Sequence, residues 1–161
     1  MKLYMKQKVF SWTDKFTVQD EAGQDRYFVE GEFLTLGKKL HVMDENHHEV
    51  AFIRQKVWSL MPRFFVEIDG REVCQIVKRL TFLTQKYELE GTGWHVDGDF
   101  WAHEYTVYDG GQIVMRLSKQ WFTWGDSYEL DIADPSNAVM CLSVVLAIDA
   151  DLAAARSAAS S

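Results

Sequence analysis

The chain has 161 residues, a length typical of one compact domain that leaves no room for a second one. Its 47% hydrophobic and 25% charged residues are typical of a folded protein and exclude a disordered one. The formal net charge of −7 opposes general attraction to nucleic acid. Two cysteines without a CxxC pair exclude a disulfide framework and a zinc ribbon. We therefore expect no nucleic-acid partner, no cofactor and no metal.

The chain start lacks the continuous apolar segment of a secretory signal, which favours a cytoplasmic protein. Aromatic residues make up 14% of the chain and only two prolines occur, which favours many extended segments. Six short runs have apolar residues at their first and third positions, and five of them have a polar residue between, a period of two that is typical of half-buried antiparallel strands. These runs are 16–18, 40–42, 64–66, 87–89, 105–107 and 128–130.

Each run is preceded by another extended segment and a tight connection, so the pattern predicts six hairpins and about twelve strands. Three internal repeats support a duplicated design: residues 5–11 resemble 53–59, residues 29–34 resemble 96–101, and residues 10–14 resemble 122–126. We expect a mainly β, closed antiparallel barrel. Its two pseudo-duplicated halves should span about 3–68 and 72–132.

Alternation also assigns faces to these strands. Leu3 and Met5 should point into the barrel, with Lys6 and Lys8 outside. The related strand should then turn Ala51, Ile53, Gln55 and Val57 inward and Arg54 and Lys56 outward.

The last part of the chain is apolar on every face between residues 138 and 148, unlike a surface helix. A twelve-stranded ring leaves a lumen, so we expect a core helix over about 135–150 inside it. About 16 helical residues span roughly 24 Å, less than the roughly 20 residues of a transmembrane helix, so no transmembrane segment is expected. The domain should cover 1–152, with a frayed tail over 153–161 and Asp149 at the solvent-exposed mouth. The lumen-filling residues should be Val139, Leu142, Val145, Leu146 and Ile148.

Several segments in this order resemble the bacterial branch of the LURP-one-related family, which belongs with the tubby C-terminal domains and the phospholipid scramblases. They are residues 6–11, 29–31, 98–105, 118–126 and 131–134, and the resemblance covers nearly all of 1–150. It implies a twelve-stranded barrel around a C-terminal hydrophobic helix. Tubby domains bind phosphoinositides and scramblases are associated with lipid movement, so it also implies phospholipid binding.

Two sets of residues are candidates for contact with a membrane. Lys6, Lys8, Arg54 and Lys56 could bind an anionic lipid headgroup, because lysine and arginine donate ionic hydrogen bonds to phosphate. The alternative is that these cations only keep the barrel exterior soluble. Trp12 and Trp124 lie near hairpin tips, where an indole could enter a membrane interface. Their alternative is a turn in which the indole covers the barrel end.

The histidines show no catalytic or metal-ligating spacing. His47 and His48 are adjacent, and His103-Glu104 is accompanied by no nucleophile or oxyanion loop. We therefore expect no catalytic residues and no enzyme activity. Two functions remain open: a cytoplasmic module that binds a membrane surface or an anionic headgroup, and a scaffold domain that binds a protein partner.

Overall fold

The computed structural model describes residues 1–6, 15–82, 84–122 and 125–161. In these residues the chain forms twelve β-strands, a short 3-10 helix and one α-helix. The strands are β1 (Lys2–Lys6), β2 (Lys15–Asp20), β3 (Asp25–Gly31), β4 (Lys39–Asp44), β5 (Glu49–Gln55), β6 (Arg63–Ile68), β7 (Arg71–Leu80), β8 (Gln85–Glu90), β9 (Trp94–Asp99), β10 (Glu104–Asp109), β11 (Gln112–Phe122) and β12 (Gly125–Ile132). The 3-10 helix is Pro135–Asn137 and α1 is Ala138–Ala159.

Every strand pairs antiparallel with its neighbours in the chain, and β1 pairs with β12, so the sheet closes into a barrel. The predicted twelve-stranded antiparallel barrel is confirmed. Because successive strands run in opposite directions, all connections from odd-numbered to even-numbered strands lie at one end. The connections from even-numbered to odd-numbered strands lie at the other end, where α1 also begins. The division into duplicated halves stays a prediction.

Alternation assigned most inward faces correctly. Leu3 and Met5 are at most 1% exposed, as are Ala51 and Ile53. Val57 was expected inside but is 36% exposed, because β5 ends at Gln55 and strand alternation does not continue beyond it. Inward residues of the six alternating runs form the lining of the core, including Val18, Val42, Val66, Leu89, Val107 and Leu130.

The core helix fills the barrel as expected. Asp134 precedes the 3-10 helix and accepts a hydrogen bond from the Ser136 backbone N–H, which caps the entrance of the helical segment. The expected lumen residues Leu142, Val145, Leu146 and Ile148 are at most 1% exposed, and Val139 packs partly buried against them.

One expectation about the end of the chain was wrong. The helix continues to Ala159 in place of a frayed tail from 153, because the alanine-rich segment there has high helix propensity. The helical segment Pro135–Ala159 is consequently long and apolar enough to cross a membrane by length and composition. In this fold, 78% of the most apolar 18-residue stretch of this segment is buried inside the protein.

Candidate functional site: the apolar end of the barrel

Large apolar side chains are exposed almost entirely at one end of the barrel. Eleven such side chains are exposed among the described residues, and nine of them belong to the connections β3–β4, β5–β6, β7–β8 and β9–β10 or to the strand end beside them. The other two, Val73 and Ile113, lie near the opposite end. We call the first end the apolar end. Its exposed residues are Phe33, Leu34, Leu36, Val57, Trp58, Leu60, Leu80, Phe82 and Trp101.

Two of these residues are held in a backbone conformation that costs energy. Leu34 has φ 57° and Trp58 has φ 60°, in the left-handed region that favours glycine and asparagine. Both side chains are nevertheless directed into solvent, with exposures of 88% and 94%. Left-handed backbone costs a bulky L-residue about 1–2 kcal/mol. Bulky apolar residues at such positions contribute nothing to the core, which suggests a role outside the fold.

Some of the neighbouring tips contact each other directly. The Gln55 N–H donates to the Lys38 carbonyl at 2.7 Å, and the Lys78 N–H donates to the Pro62 carbonyl at 3.1 Å. Gly37 has φ +77°, and a Cβ there would lie 3.1 Å from Cγ2 of Val57. These contacts connect the β3–β4 and β5–β6 tips to each other and to the end of β7.

The other end, which we call the polar end, has a contrasting surface. Its connections consist of polar residues, glycines and alanines, such as Asp69-Gly70 and Gly110-Gly111. Many of its side chains are carboxylates. They include Asp20, Glu21, Asp44, Glu45, Asp69, Asp109 and Asp134. The negative net charge of the chain is therefore concentrated away from the apolar end.

Basic residues are frequent at the apolar end, but most are already paired with acids. Arg63 is 2.7 Å from Glu90, and Arg79 contacts Glu88 and Glu90 at 2.9 and 2.8 Å. Further pairs join Lys15 to Glu30, Lys39 to Glu32, and Lys86 to Asp97. Among the described residues at this end, Lys6, Lys56 and Arg156 lie within 4.0 Å of no carboxylate.

The headgroup candidates do not form one cluster. Lys6 and Lys56 are exposed at the apolar end, but they belong to β1 and to the end of β5, which are not neighbours in the barrel. Arg54 is engaged by Glu67 at 3.3 Å and Glu72 at 3.6 Å, and its guanidinium lies 4.1 Å from the centre of the Phe65 ring. Lys8, Trp12 and Trp124 lie outside the described residues.

A layer of buried polar groups lies inside the barrel beneath the apolar end. Lys78 Nζ is 2.8 Å from Asp151 Oδ2, which also accepts a hydrogen bond from the Tyr87 hydroxyl at 2.5 Å. Burial raises the pKa of Tyr87, and the neighbouring Asp151 raises it further. Lys78 and Asp151 lie almost wholly inside the protein. Because neither charge can be left unpaired there, this layer fixes the depth of α1 in the lumen.

Asp149 was expected to reach solvent, and this expectation was wrong. Its carboxylate is 2% exposed, and Oδ1 lies 3.2 Å from Nδ1 of His103 in the β9–β10 connection. Burial raises the pKa of Asp149, while His103 and Arg156 act in the opposite direction. The reason for the error is length, because α1 continues beyond Asp149 for ten further residues and holds it inside.

The segment 98–105 builds this corner of the apolar end. A Cβ on Gly98 would lie 2.5 Å from the Glu104 carbonyl oxygen and 2.6 Å from Cα of Tyr105, so only glycine fits. The Ala102 N–H donates to Asp99 Oδ1 at 3.0 Å. Phe100 then packs edge-on against Tyr87, with ring centres 4.8 Å apart. The segment thus closes the barrel over α1 and leaves Trp101 half exposed.

A family model described as LURP-one-related matches residues 1–149. This chain belongs to the LURP-one-related family. The match spans all twelve strands, including the 98–105 segment just described, and α1 as far as Asp149. The resemblance to the LURP-one-related family noted from the sequence is thereby confirmed.

Two known proteins are similar to this LURP-one-related chain. Over 149 residues it is 38% identical to "Uncharacterized protein YxjI" of Bacillus subtilis strain 168, which covers 92% of each chain. An X-ray structure of a protein from Arabidopsis thaliana superimposes with a TM-score of 0.62 over 93% of this chain and 90% of that one. The two chains are 16% identical, and this structural similarity shows that they share a fold.

Sequence reasoning missed the exposed residues Leu34, Trp58, Leu60 and Phe82 as candidates. A signal was present, since all four are large apolar residues in connections between the observed strands, where polar turn residues are usual. The period-two pattern predicts only whether a side chain within a strand points into the barrel or out of it. It therefore could not place residues beyond the strand ends.

Proposed function

We propose that this protein is a peripheral membrane-binding module whose apolar end docks on a bilayer surface. The observation that carries the proposal is the pair Leu34 and Trp58, two bulky side chains presented to water on left-handed backbone at adjacent tips. Leu60, in the same connection as Trp58, and Phe82, in the next connection around the barrel, are also almost fully exposed. Exposed apolar side chains gathered at one end of a fold are typical of an interaction site.

The physical driving force would be removal of these side chains from water. Each large apolar side chain that leaves water contributes about 1.5–3 kcal/mol, so a few of them can outweigh the cost of docking. Trp58 and Trp101 suit this position, because an indole has an apolar body and one N–H donor, as the membrane interface requires. Backbone polar groups of the barrel stay paired in the sheet, so the tips alone would enter the bilayer.

The distribution of charge supports binding to a membrane and determines which end of the barrel faces it. Within the part of the chain that the structure describes, Lys6, Lys56 and Arg156 at the apolar end have no carboxylate within 4.0 Å, whereas the polar end is rich in acids. A negatively charged leaflet would attract the first end and repel the second. Because few of the described cations at this end lack a carboxylate partner, apolar insertion should dominate, and binding should depend only weakly on salt.

The test is co-sedimentation of the full chain with vesicles of phosphatidylcholine alone and mixed with phosphatidylglycerol. We expect the wild-type chain to bind, and Leu34→Asn with Trp58→Asn to weaken binding by at least about tenfold. Asparagine tolerates left-handed backbone, so this double variant should fold at least as stably as the wild type.

Val73→Thr with Ile113→Thr is the matched control, because it removes the two exposed apolar residues near the polar end. Its binding should equal that of the wild type. The proposal fails if the wild-type chain binds neither kind of vesicle. It also fails if the Leu34→Asn, Trp58→Asn variant binds as well as the control. The apolar end would then be the surface for a protein partner.

A further inference from the structure

We infer that Arg156 and Trp101 form a subsite for the phosphate of an anionic phospholipid headgroup. This inference rests on the proposed membrane docking and names the ligand chemistry of the same end of the barrel. Arg156 is in the last turns of α1 and Trp101 is in the β9–β10 connection, so two separate elements meet here. The guanidinium carbon lies 5.6 Å from the centre of the indole ring.

The guanidinium is available for a ligand. Arg54, Arg63 and Arg79 at the same end are all held by carboxylates, but Arg156 has no carboxylate within 4.0 Å among the described residues. Its side chain is exposed. Arginine presents five N–H donors in a planar fork that matches the oxygens of a phosphate. Among the described residues, Nη2 is the one Arg156 nitrogen with a hydrogen-bond partner.

The guanidinium is also held in place from below. Nη2 of Arg156 lies 3.4 Å from Nε2 of His103. A guanidinium only donates hydrogen bonds, so Nε2 is the acceptor in this contact, and Nδ1 on the other side of the ring lies 3.2 Å from Oδ1 of Asp149. The His103 ring packs on Tyr128, with ring centres 4.6 Å apart. His103 and Asp149 are thus positioning residues that orient the arginine from inside the barrel.

The location suits a lipid phosphate better than a free one. The phosphates of a bilayer lie just outside the acyl region, so side chains beside inserted apolar tips meet them directly. The indole of Trp101, which lies against the guanidinium of Arg156, is suited to the same depth of the membrane interface as the phosphates. The acids of the polar end lie at the far side of the barrel and do not oppose an anion here.

The test compares vesicle binding of Arg156→Gln and Arg71→Gln, using phosphatidylcholine vesicles with and without phosphatidylglycerol. Arg71 is an exposed arginine near the polar end, so both variants lose one positive charge. We expect Arg156→Gln to reduce the preference for phosphatidylglycerol about fivefold and Arg71→Gln to change it less than about twofold. Arg156→Lys should recover only part of the loss, because it restores the charge without the planar fork.

The outcomes separate this inference from the proposed function. Tip variants should lose binding to both vesicles, whereas Arg156→Gln should lose only the preference for the anionic lipid. If Arg156→Gln and Arg71→Gln behave alike, the subsite is wrong while membrane docking stands. A nuclear magnetic resonance titration of the vesicle-free chain with inorganic phosphate tests the ligand source: saturation of the Arg156 side-chain signals would overturn the lipid assignment, and little response would support it.

Discussion

Lys78 on β7 and Asp151 on α1 form an ion pair inside the mouth of the barrel, with Nζ and Oδ2 2.8 Å apart. The two side chains are only 11% and 5% exposed, so each charge depends on the other for compensation. The pair joins the barrel wall to the helix that fills it, close to the end that we propose docks on membranes.

Removing one partner of this pair should destabilise the fold strongly. Asp151→Ala leaves the Lys78 ammonium buried without its carboxylate, which we expect to lower the free energy of unfolding by about 3–5 kcal/mol. The double variant Lys78→Met with Asp151→Leu removes both charges and should be clearly more stable than Asp151→Ala. Urea denaturation followed by circular dichroism measures both. Equal stability of the single variant and the wild type would contradict the pairing.

Asp149 should make stability depend on pH. Burial raises the pKa of Asp149 in the folded protein above the ordinary value of 3.8. The favourable contribution of this group to folding stability is therefore fully present below pH 3.8, and it is lost as the pH rises through the pKa of the folded state. Asp149→Asn removes this loss, and the variant should gain stability relative to the wild type as pH increases above 4. Thermal denaturation across a pH series checks the slope. Asp134→Asn is the control, since backbone and side-chain hydrogen bonds with Ser136 lower the pKa of Asp134, which gives the opposite sign.

Gly98 should tolerate no side chain. In Gly98→Ala the new methyl group would collide with the β10 backbone at Glu104 and Tyr105, and we expect a loss of about 3 kcal/mol from crowding together with unfavourable backbone. Gly110→Ala is the matched control, because it has φ +57° with nothing within 4 Å of the new Cβ. The control should cost about 1 kcal/mol. Similar losses for both variants in urea denaturation would show that the close approach at Gly98 is unimportant.

The two cysteines should resist thiol reagents in the native protein. Burial raises the pKa of Cys74 and of Cys141 to about 12, so almost no reactive thiolate is present at neutral pH. We expect slow labelling by a disulfide reagent until denaturant opens the barrel, after which both thiols should react. Rapid labelling of either thiol in the absence of denaturant would contradict the burial of α1 in the lumen.

The sequence predicted the barrel because period-two alternation is a property of strands, and it predicted the filled lumen because residues 138–148 are apolar on every face. Alternation placed Leu3 inside but misplaced Val57, which follows the last residue of its strand. The burial of Asp149 could not be predicted, because it depends on the axial depth of α1 and on a contact with His103, 46 positions earlier in the chain. For the candidate site, the exposure of Leu34 and Trp58 needed the tip geometry that only coordinates give.

The most direct test of membrane docking is a depth measurement with nitroxide labels on the full chain. Both native cysteines are buried, so Leu60→Cys and Phe82→Cys can label the apolar end and Asn46→Cys the polar end. With vesicles containing phosphatidylglycerol, we predict that labels at positions 60 and 82 collide with oxygen dissolved in the acyl region, while the label at 46 remains accessible to a water-soluble relaxant. Labels at 60 and 82 that stay in water when vesicles are present would contradict the account.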